Sequence, residues 1–320
     1  MTDCWLLADI GGTNARFALS YSEGQLSQLQ STRTAEHPTF VHALNAYLQK
    51  VVDERATSGI RGARVAAAGP REEGTIALTN SPWQISVEEV SEAIGGGGPV
   101  RLFNDLEAVV MLLPRLGKDD IEMLGPICGT RMTGNLLAIN MGTGLGASSA
   151  IMTRDGEWVV SASEAGHMSF SATSPDEVAL LPHVTSFEDV LSGRGVAWLY
   201  EFMNRRSGGK GQGLRLSRSE FHAAQIFASV DHDSVAAQVV RLLTELLARV
   251  TADLVLANGA WGGAYLCGSV ASGWHEVADQ HLFRSVFERK GAMSSRMERV
   301  PTALIVTPEP TLRGLTYAGR

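Results

Sequence analysis

A chain of 320 residues with a formal net charge of −7 lacks the basic balance that binding a phosphate backbone requires, which argues against nucleic acid as a partner. Its length exceeds the ~100 to 200 residues of one domain, so two lobes are expected, and no stretch reaches the ~18 consecutive apolar residues of a membrane span. Three scattered cysteines, Cys4, Cys128 and Cys267, and eight histidines without an H-E-x-x-H pattern argue against a disulfide framework or a protein-ligated zinc ion.

In chain order, Cys4 to Ile10 reads as an apolar strand, Gly11-Gly12-Thr13-Asn14 as a turn and Arg16 to Tyr21 as a returning strand. No basic residue precedes the apolar run, and it leads into glycine instead of a cleavage site, so no signal peptide is read and a cytoplasmic protein with reduced thiols is expected. A bare Gly-Gly is most often an ordinary hairpin turn. Here its backbone N–H groups and the side chains of Thr13 and Asn14 could cradle a phosphate, and Asp9 would repel that phosphate unless a cation lay between them. Asp9 is therefore assigned to Mg²⁺ or its waters.

A helix is expected over Thr39 to Arg55, strands at Ala63 to Ala68, Gly74 to Thr79 and Pro99 to Phe103, and a flexible connector at Gly95 to Gly98. Interleaved strands and helices mean an α/β lobe. Asn104-Asp105 falls between the strand VRLF and the helix LEAVVMLLPRL. Asn104 with Glu107 resembles a capping box, yet strand ends in α/β sheets are also where ligands bind, so cap and site stand equal. As a site residue, Asp105 is the natural general base for a hydroxyl too weakly acidic to ionise unaided.

A second hairpin spans Asn135 to Met152, with the turn Gly142-Thr143-Gly144-Leu145-Gly146. A strand follows this turn where a dinucleotide fingerprint would open a helix, so a second phosphate-binding hairpin fits better and the chain hints at two related halves. Glu164 and His167 in SEAGH could bind sugar hydroxyls or form a solvated loop. Ser186 and Asp189 suggest a helix start with Gly193 as its stop, leaving Glu188 available as a site residue. Ser207 to Gly213 reads as a mobile, disordered connector without Walker A spacing, and Val235 to Leu254 as a long core helix. In Trp261 to Ser269 a strand lies between two Gly-rich turns, suited either to adenosine or to a tight core turn.

DIGGTNARFAL, LTNSPW, FNDLEAV, GTGLG, EAGH, EDVLSGRG and GGAYLCGS, taken in this order, resemble the bacterial glucokinase family of the hexokinase, actin and heat-shock-70 ATPase superfamily. The resemblance covers nearly the whole chain. It implies an α/β fold of two ribonuclease-H-like lobes around a central cleft: 1–106, rejoined by 309–320, and 107–308. It implies an ATP-dependent, Mg²⁺-assisted kinase that phosphorylates glucose at its 6-hydroxyl as the first step of glycolysis, in a homodimer. Asp105 would be the base, and Asn104, Asp105, Glu164, His167 and Glu188 the sugar-side residues, with Asn80 a weaker candidate. Asp9, Gly11, Gly12, Thr13 and Asn14, together with Gly142, Thr143, Gly144 and Gly146, would hold the phosphates; Gly262, Gly263 and Gly268 would line the adenosine. Ala8, Ala165 and Ser269 depart from the family pattern and could tighten turns or shift the nucleotide, and Arg194 stands where the family commonly has Pro. A kinase for another hexose is the alternative, followed by a nucleotide-switched, actin-like interaction protein.

Overall fold

The computed structural model describes residues 4–51, 59–69, 71–78, 81–96, 98–127, 129–130, 132–211 and 222–319. The chain divides into two units, Met1–Arg115 with Pro308–Arg320, and Leu116–Thr307.

In the first unit, β1 (Cys4–Ile10), β2 (Asn14–Ser20), β3 (Ser27–Arg33), β4 (Ile60–Ala67) and β8 (Val100–Asn104) form a five-stranded sheet in the order β3-β2-β1-β4-β8. Strands β1 to β3 are an antiparallel meander, and β4 and β8 continue it in parallel with β1. A separate small sheet joins β5 (Arg71–Glu72), β6 (Thr75–Ala77) and β7 (Gln84–Ser86). Helices α1 (Phe40–Val51), α2 (Val87–Ala93) and α3 (Asp105–Leu112) complete the element order up to Arg115. The expected end of the first helix at Arg55 lies outside the described residues. The glycines at 95–98 were expected to give freedom. The described ones instead make a tight turn, with Gly95 and Gly96 at φ of 90° and 74° and Gly98 pressed against the Arg61 carbonyl.

The boundary after Arg115 lies later than the 106 read from sequence, and packing explains the difference. The C-terminal helix Pro310–Leu315 lies against α3 so closely that a Cβ on Gly314 would overlap the Ala108 carbonyl. Leu312, Leu315 and Ala108 share one buried cluster with Leu7, Ala18 and Ala66, so removing α3 from this unit would expose that cluster.

The second unit repeats the pattern. Its sheet runs β12 (Trp158–Ser163), β11 (Leu145–Met152), β10 (Leu136–Met141), β13 (Gly263–Cys267), β14 (Thr302–Ile305), β9 (Ile121–Met123). Again three strands form an antiparallel meander and two follow in parallel, while β9 adds an antiparallel edge. The duplicated order is the ribonuclease-H-like topology expected from the resemblance. The helices are α4 (Pro175–Val178), α5 (Gly193–Arg206), α6 (His222–Phe227), α7 (Ser234–Asn258), α8 (Ser269–His275), α9 (Gln280–Glu288) and α10 (Ser294–Met297). In α7, Asp233 caps the Val235 and Ala236 N–H groups and Gly259, at φ of 58°, ends the helix. Its residues Val239, Leu243, Leu246, Leu247 and Val250 are buried, as the 3.6-residue spacing predicts.

The connector after α5 differs from its expectation where it is described. The N–H groups of Ser207, Gly208 and Gly209 donate to the Met203, Arg205 and Asn204 carbonyls, and Gly211 N–H donates to Asn204 Oδ1, which closes the helix end. The rest of that segment, Gln212 and Gly213, lies outside the described residues. No helix among the described residues is long and apolar enough to cross a membrane.

Candidate functional site

Parallel alignment of β1, β4 and β8 places their carboxyl ends on one edge of the first sheet, with Asp9, Ala66 and Phe103 in one row and Ile10, Ala67 and Asn104 in the next. Ligands of α/β sheets bind at such edges. The β1–β2 turn lies here: Gly11 N–H donates to Asn14 O over 2.9 Å, while the Gly12 and Thr13 N–H groups have no protein acceptor among the described residues. Thr34 braces the turn, its hydroxyl donating to Gly12 O over 2.7 Å and its N–H to Thr13 O over 3.0 Å. Nothing in the local sequence of the turn announces this brace.

Asp9 and Arg16 face each other across the hairpin, with Oδ2 and Nη1 3.3 Å apart, and Arg16 Nε lies 3.2 Å from Glu309 Oε2. Glu309 sits at φ of 50°, in the left-handed region where a residue with a Cβ is strained, just ahead of Pro310. Burial pushes the Asp9 carboxyl up to about 7; the charges of Asp105 and Glu309 push the same way and Arg16 opposes them.

On the same edge Asn104 is the N-cap of α3: its Oδ1 accepts from Leu106 N–H over 3.0 Å and its own N–H donates to Glu107 Oε2 over 2.9 Å. The capping role uses the carbonyl half of the side chain and leaves the amide NH₂ for a ligand. Asp105 opens the helix. Burial raises its carboxyl above the ordinary carboxylate range, against the pull of the Leu106 N–H that Oδ1 accepts at 2.9 Å. Asn80 lies outside the described residues.

The second sheet offers the corresponding edge in its own unit. The tip of its hairpin is Gly142-Thr143-Gly144, with Gly142 N–H donating to Gly144 O over 3.0 Å. Gly146 belongs to β11, opposite Asn140. Glu188 supports this tip, since Leu145 N–H donates to its Oε2 over 3.1 Å. The backbone of Glu188 is held in turn by Gly166, whose carbonyl accepts the Glu188 N–H over 3.0 Å. Glu164 and His167 flank Gly166 in a 3-10 turn, both exposed, closed by His167 N–H to Glu164 O over 3.0 Å. One hydrogen-bonded group thus joins Glu164, His167, Glu188 and the glycine tip.

Gly166 is the pivot of that group, because a Cβ there would overlap the Leu145 carbonyl. Gly166→Ala is expected to cost about 1 to 3 kcal/mol of stability by overpacking and to raise the substrate KM. Thermal melts and steady-state kinetics on one preparation check both. Ala165, by contrast, packs its side chain against the core, so its departure from the family pattern is accommodated. Ala8 is likewise fully buried in its strand, and Ser269 merely opens α8.

One expectation needs correction. Asp189 does not start a helix: its carboxylate accepts the N–H groups of Thr185 and Ser186, both over 2.9 Å, closing a turn backwards. Ser192 is the actual N-cap and Gly193 the first residue of α5 instead of a stop. The glycines expected to line the adenosine lie at the two ends of β13. Gly268 follows the carboxyl end of β13, on the edge of the hairpin tip, and a Cβ there would overlap Asn140 Oδ1. Gly262 and Gly263 lie at the opposite end of β13, where Gly262 N–H donates to Asn135 O over 3.0 Å and Gly263 has φ of 139°. A Cβ on Gly262 would meet the Gly134 carbonyl and the Leu136 side chain, and one on Gly263 would meet the Tyr265 ring.

The sequence profile of the Glucokinase family matches residues 6–320. A glucokinase of Caulobacter sp. (strain K31) is 31% identical over 322 residues, covering 98% of this chain and 94% of that protein. The bifunctional protein glk of Burkholderia orbicola is 31% identical over 319 residues, of whose length the chain spans 48%. Among solved structures, a glucokinase from an Antarctic psychrotroph superposes with a TM-score of 0.81 at 28% identity, covering 99% of this chain and 98% of that one. The glucokinase of Balamuthia mandrillaris in complex with glucose shares the fold with a TM-score of 0.78 at 21% identity, covering 98% and 93%.

Proposed function

The chain belongs to the glucokinase family, and from that premise we propose how its residues transfer the γ-phosphoryl group of ATP to the 6-hydroxyl of glucose. The observation that carries the reading is Asp105, a desolvated carboxylate on the same sheet edge as the β1–β2 glycine turn and within electrostatic reach of Asp9.

Asp105 takes the proton of the 6-hydroxyl as that oxygen attacks the γ-phosphorus, so the P–O bond to the new ester forms while the bond to ADP breaks. A raised pKa makes it the stronger base, provided it is ionised. The amide of Asn104 and the side chains of Glu164, His167 and Glu188 orient the sugar by hydrogen bonds to its other hydroxyls. The N–H groups of Gly12 and Thr13, which have no acceptor among the described residues, with the side chains of Thr13 and Asn14 beside them, and the Gly142-Thr143-Gly144 tip receive phosphate oxygens. Gly268 admits close approach of the nucleoside.

Mg²⁺ suits Asp9. The ion takes one or two carboxylates plus phosphates and water, and a cation relieves a buried carboxylate that has Asp105 and Glu309 as charged neighbours. When bound, Mg²⁺ supplies neutralisation of charge on the transferred phosphoryl group. No cluster of three or more histidine, cysteine or acidic side chains suited to a metal is present among the described residues. The family also suggests a cytoplasmic homodimer feeding glucose into glycolysis.

ADP release with and without glucose tests the activity, and a chain that releases ADP equally in both cases is not a sugar kinase. The pH profile tests the base. Because burial raises Asp105, the acid limb of kcat/KM is expected to lie above the ~4 of an ordinary carboxylate, with activity lost as pH falls through it. A limb at or below ~4 removes Asp105 from that role.

A further inference from the structure

We infer that Arg194 is a positioning residue that fixes the sugar-binding carboxylate Glu188, an inference that rests on the reading of Glu188 as a ligand for glucose hydroxyls. The Glu188 side chain is 14% exposed, and Oε2 is engaged by the Leu145 N–H. Its backbone is fixed at both ends, the N–H on Gly166 O and the carbonyl accepting the Ser192 hydroxyl over 2.8 Å. The remaining oxygen, Oε1, accepts from Arg194 Nη2 over 2.6 Å, a charge-assisted bond at the short end of the range. Each carboxylate oxygen has two lone pairs, so Oε1 can accept a sugar hydroxyl while Arg194 stays in place.

The location of Arg194 argues that the contact serves the ligand and not the fold. It is the second residue of α5, at the helix end where the macrodipole disfavours a cation. Its side chain is 69% exposed, and Glu188 is its one ion-pair partner among the described residues. An ion pair with one partner so exposed adds little to folding stability. A residue that breaks a local helix rule without stabilising the fold is expected where a site demands it. The helix start that carries it is itself rigid, capped by Ser192 and tied to the glycine tip by Gly193 N–H to Gly142 O over 2.9 Å. Arg194 thus reaches Glu188 from an anchored base and removes the rotamer freedom that glucose would otherwise have to freeze.

The test is glucose binding by titration calorimetry in the absence of nucleotide, with kinetics and thermal melts on the same proteins. Arg194→Ala is expected to raise the glucose Kd and KM together by about 3- to 10-fold, with kcat within about 2-fold and the melting temperature unchanged. Arg194→Lys restores part of the loss through its charge. In a Glu188→Gln background, Arg194→Ala has no further effect on glucose binding. Among monodeoxyglucoses, the one that lacks the hydroxyl received by Glu188 binds wild type and Arg194→Ala equally. An Arg194→Ala protein that binds glucose as well as or better than wild type overturns the assignment. A wild type that binds no glucose sinks the sugar reading itself, a result distinct from the first.

Discussion

Asp105→Asn is expected to lower kcat by about 10² to 10⁴-fold while glucose binding, measured without nucleotide, stays within a few-fold of wild type. The substitution separates the two roles that position 105 could have. As part of a helix start, the side chain needs only an oxygen to accept the Leu106 N–H, which Asp105 Oδ1 does over 2.9 Å and an amide oxygen can do equally well. As a base, it needs a carboxylate, which the amide cannot supply. Stability gives a second readout. Burial disfavours the ionised form of Asp105, so a neutral amide removes that cost, and the variant melts no lower than wild type at pH 8. Near-normal turnover in a stable variant would leave Asp105 as a cap alone.

The parts of this molecule that follow from local pattern were legible in its sequence. The two hairpins, the helix over Ser234–Asn258 and the placement of Asn104-Asp105 at a strand-to-helix junction each come from periodicity and turn residues close together in the chain. Strand β3 was missed because SQLQSTR, half exposed at a sheet edge, has no apolar alternation to betray it, and TALI in β14 is too short to stand out. The Glu188 segment misled because an S-x-x-D pattern fits a backward-closing turn as well as a helix start, and Ser192 wins the cap by bonding Gly195 N–H over 3.2 Å. What could not be read at all is pairing between distant positions. Arg16 is adjacent to Asp9 through a hairpin, but Glu309 reaches it only because the chain's last helix returns to the first unit.

That three-member group sets the last expectation, which is opposite in sign for stability and for activity. Burial pushes the Asp9 carboxyl up to about 7 in the folded protein, against an ordinary 3.8, so between those values the native state binds a proton that the unfolded chain has lost. Stability contributed by protonated Asp9 is therefore whole below about pH 4, declines as pH rises and is gone above about pH 7. Asp9→Asn is neutral throughout. Without Mg²⁺ or nucleotide, the variant should melt several degrees above wild type at pH 8, with the gap shrinking towards pH 5; the full shift corresponds to an upper bound of about 4 kcal/mol. Arg16 is not stranded by the change, because Glu309 Oε2 still lies 3.2 Å from its Nε. The same amide cannot hold a hydrated cation as a carboxylate does, so phosphoryl transfer should fall by at least about 10²-fold. A variant that is less stable at pH 8 would mean that the Arg16 pair outweighs desolvation at Asp9. One that keeps full turnover would remove Asp9 from the handling of Mg²⁺.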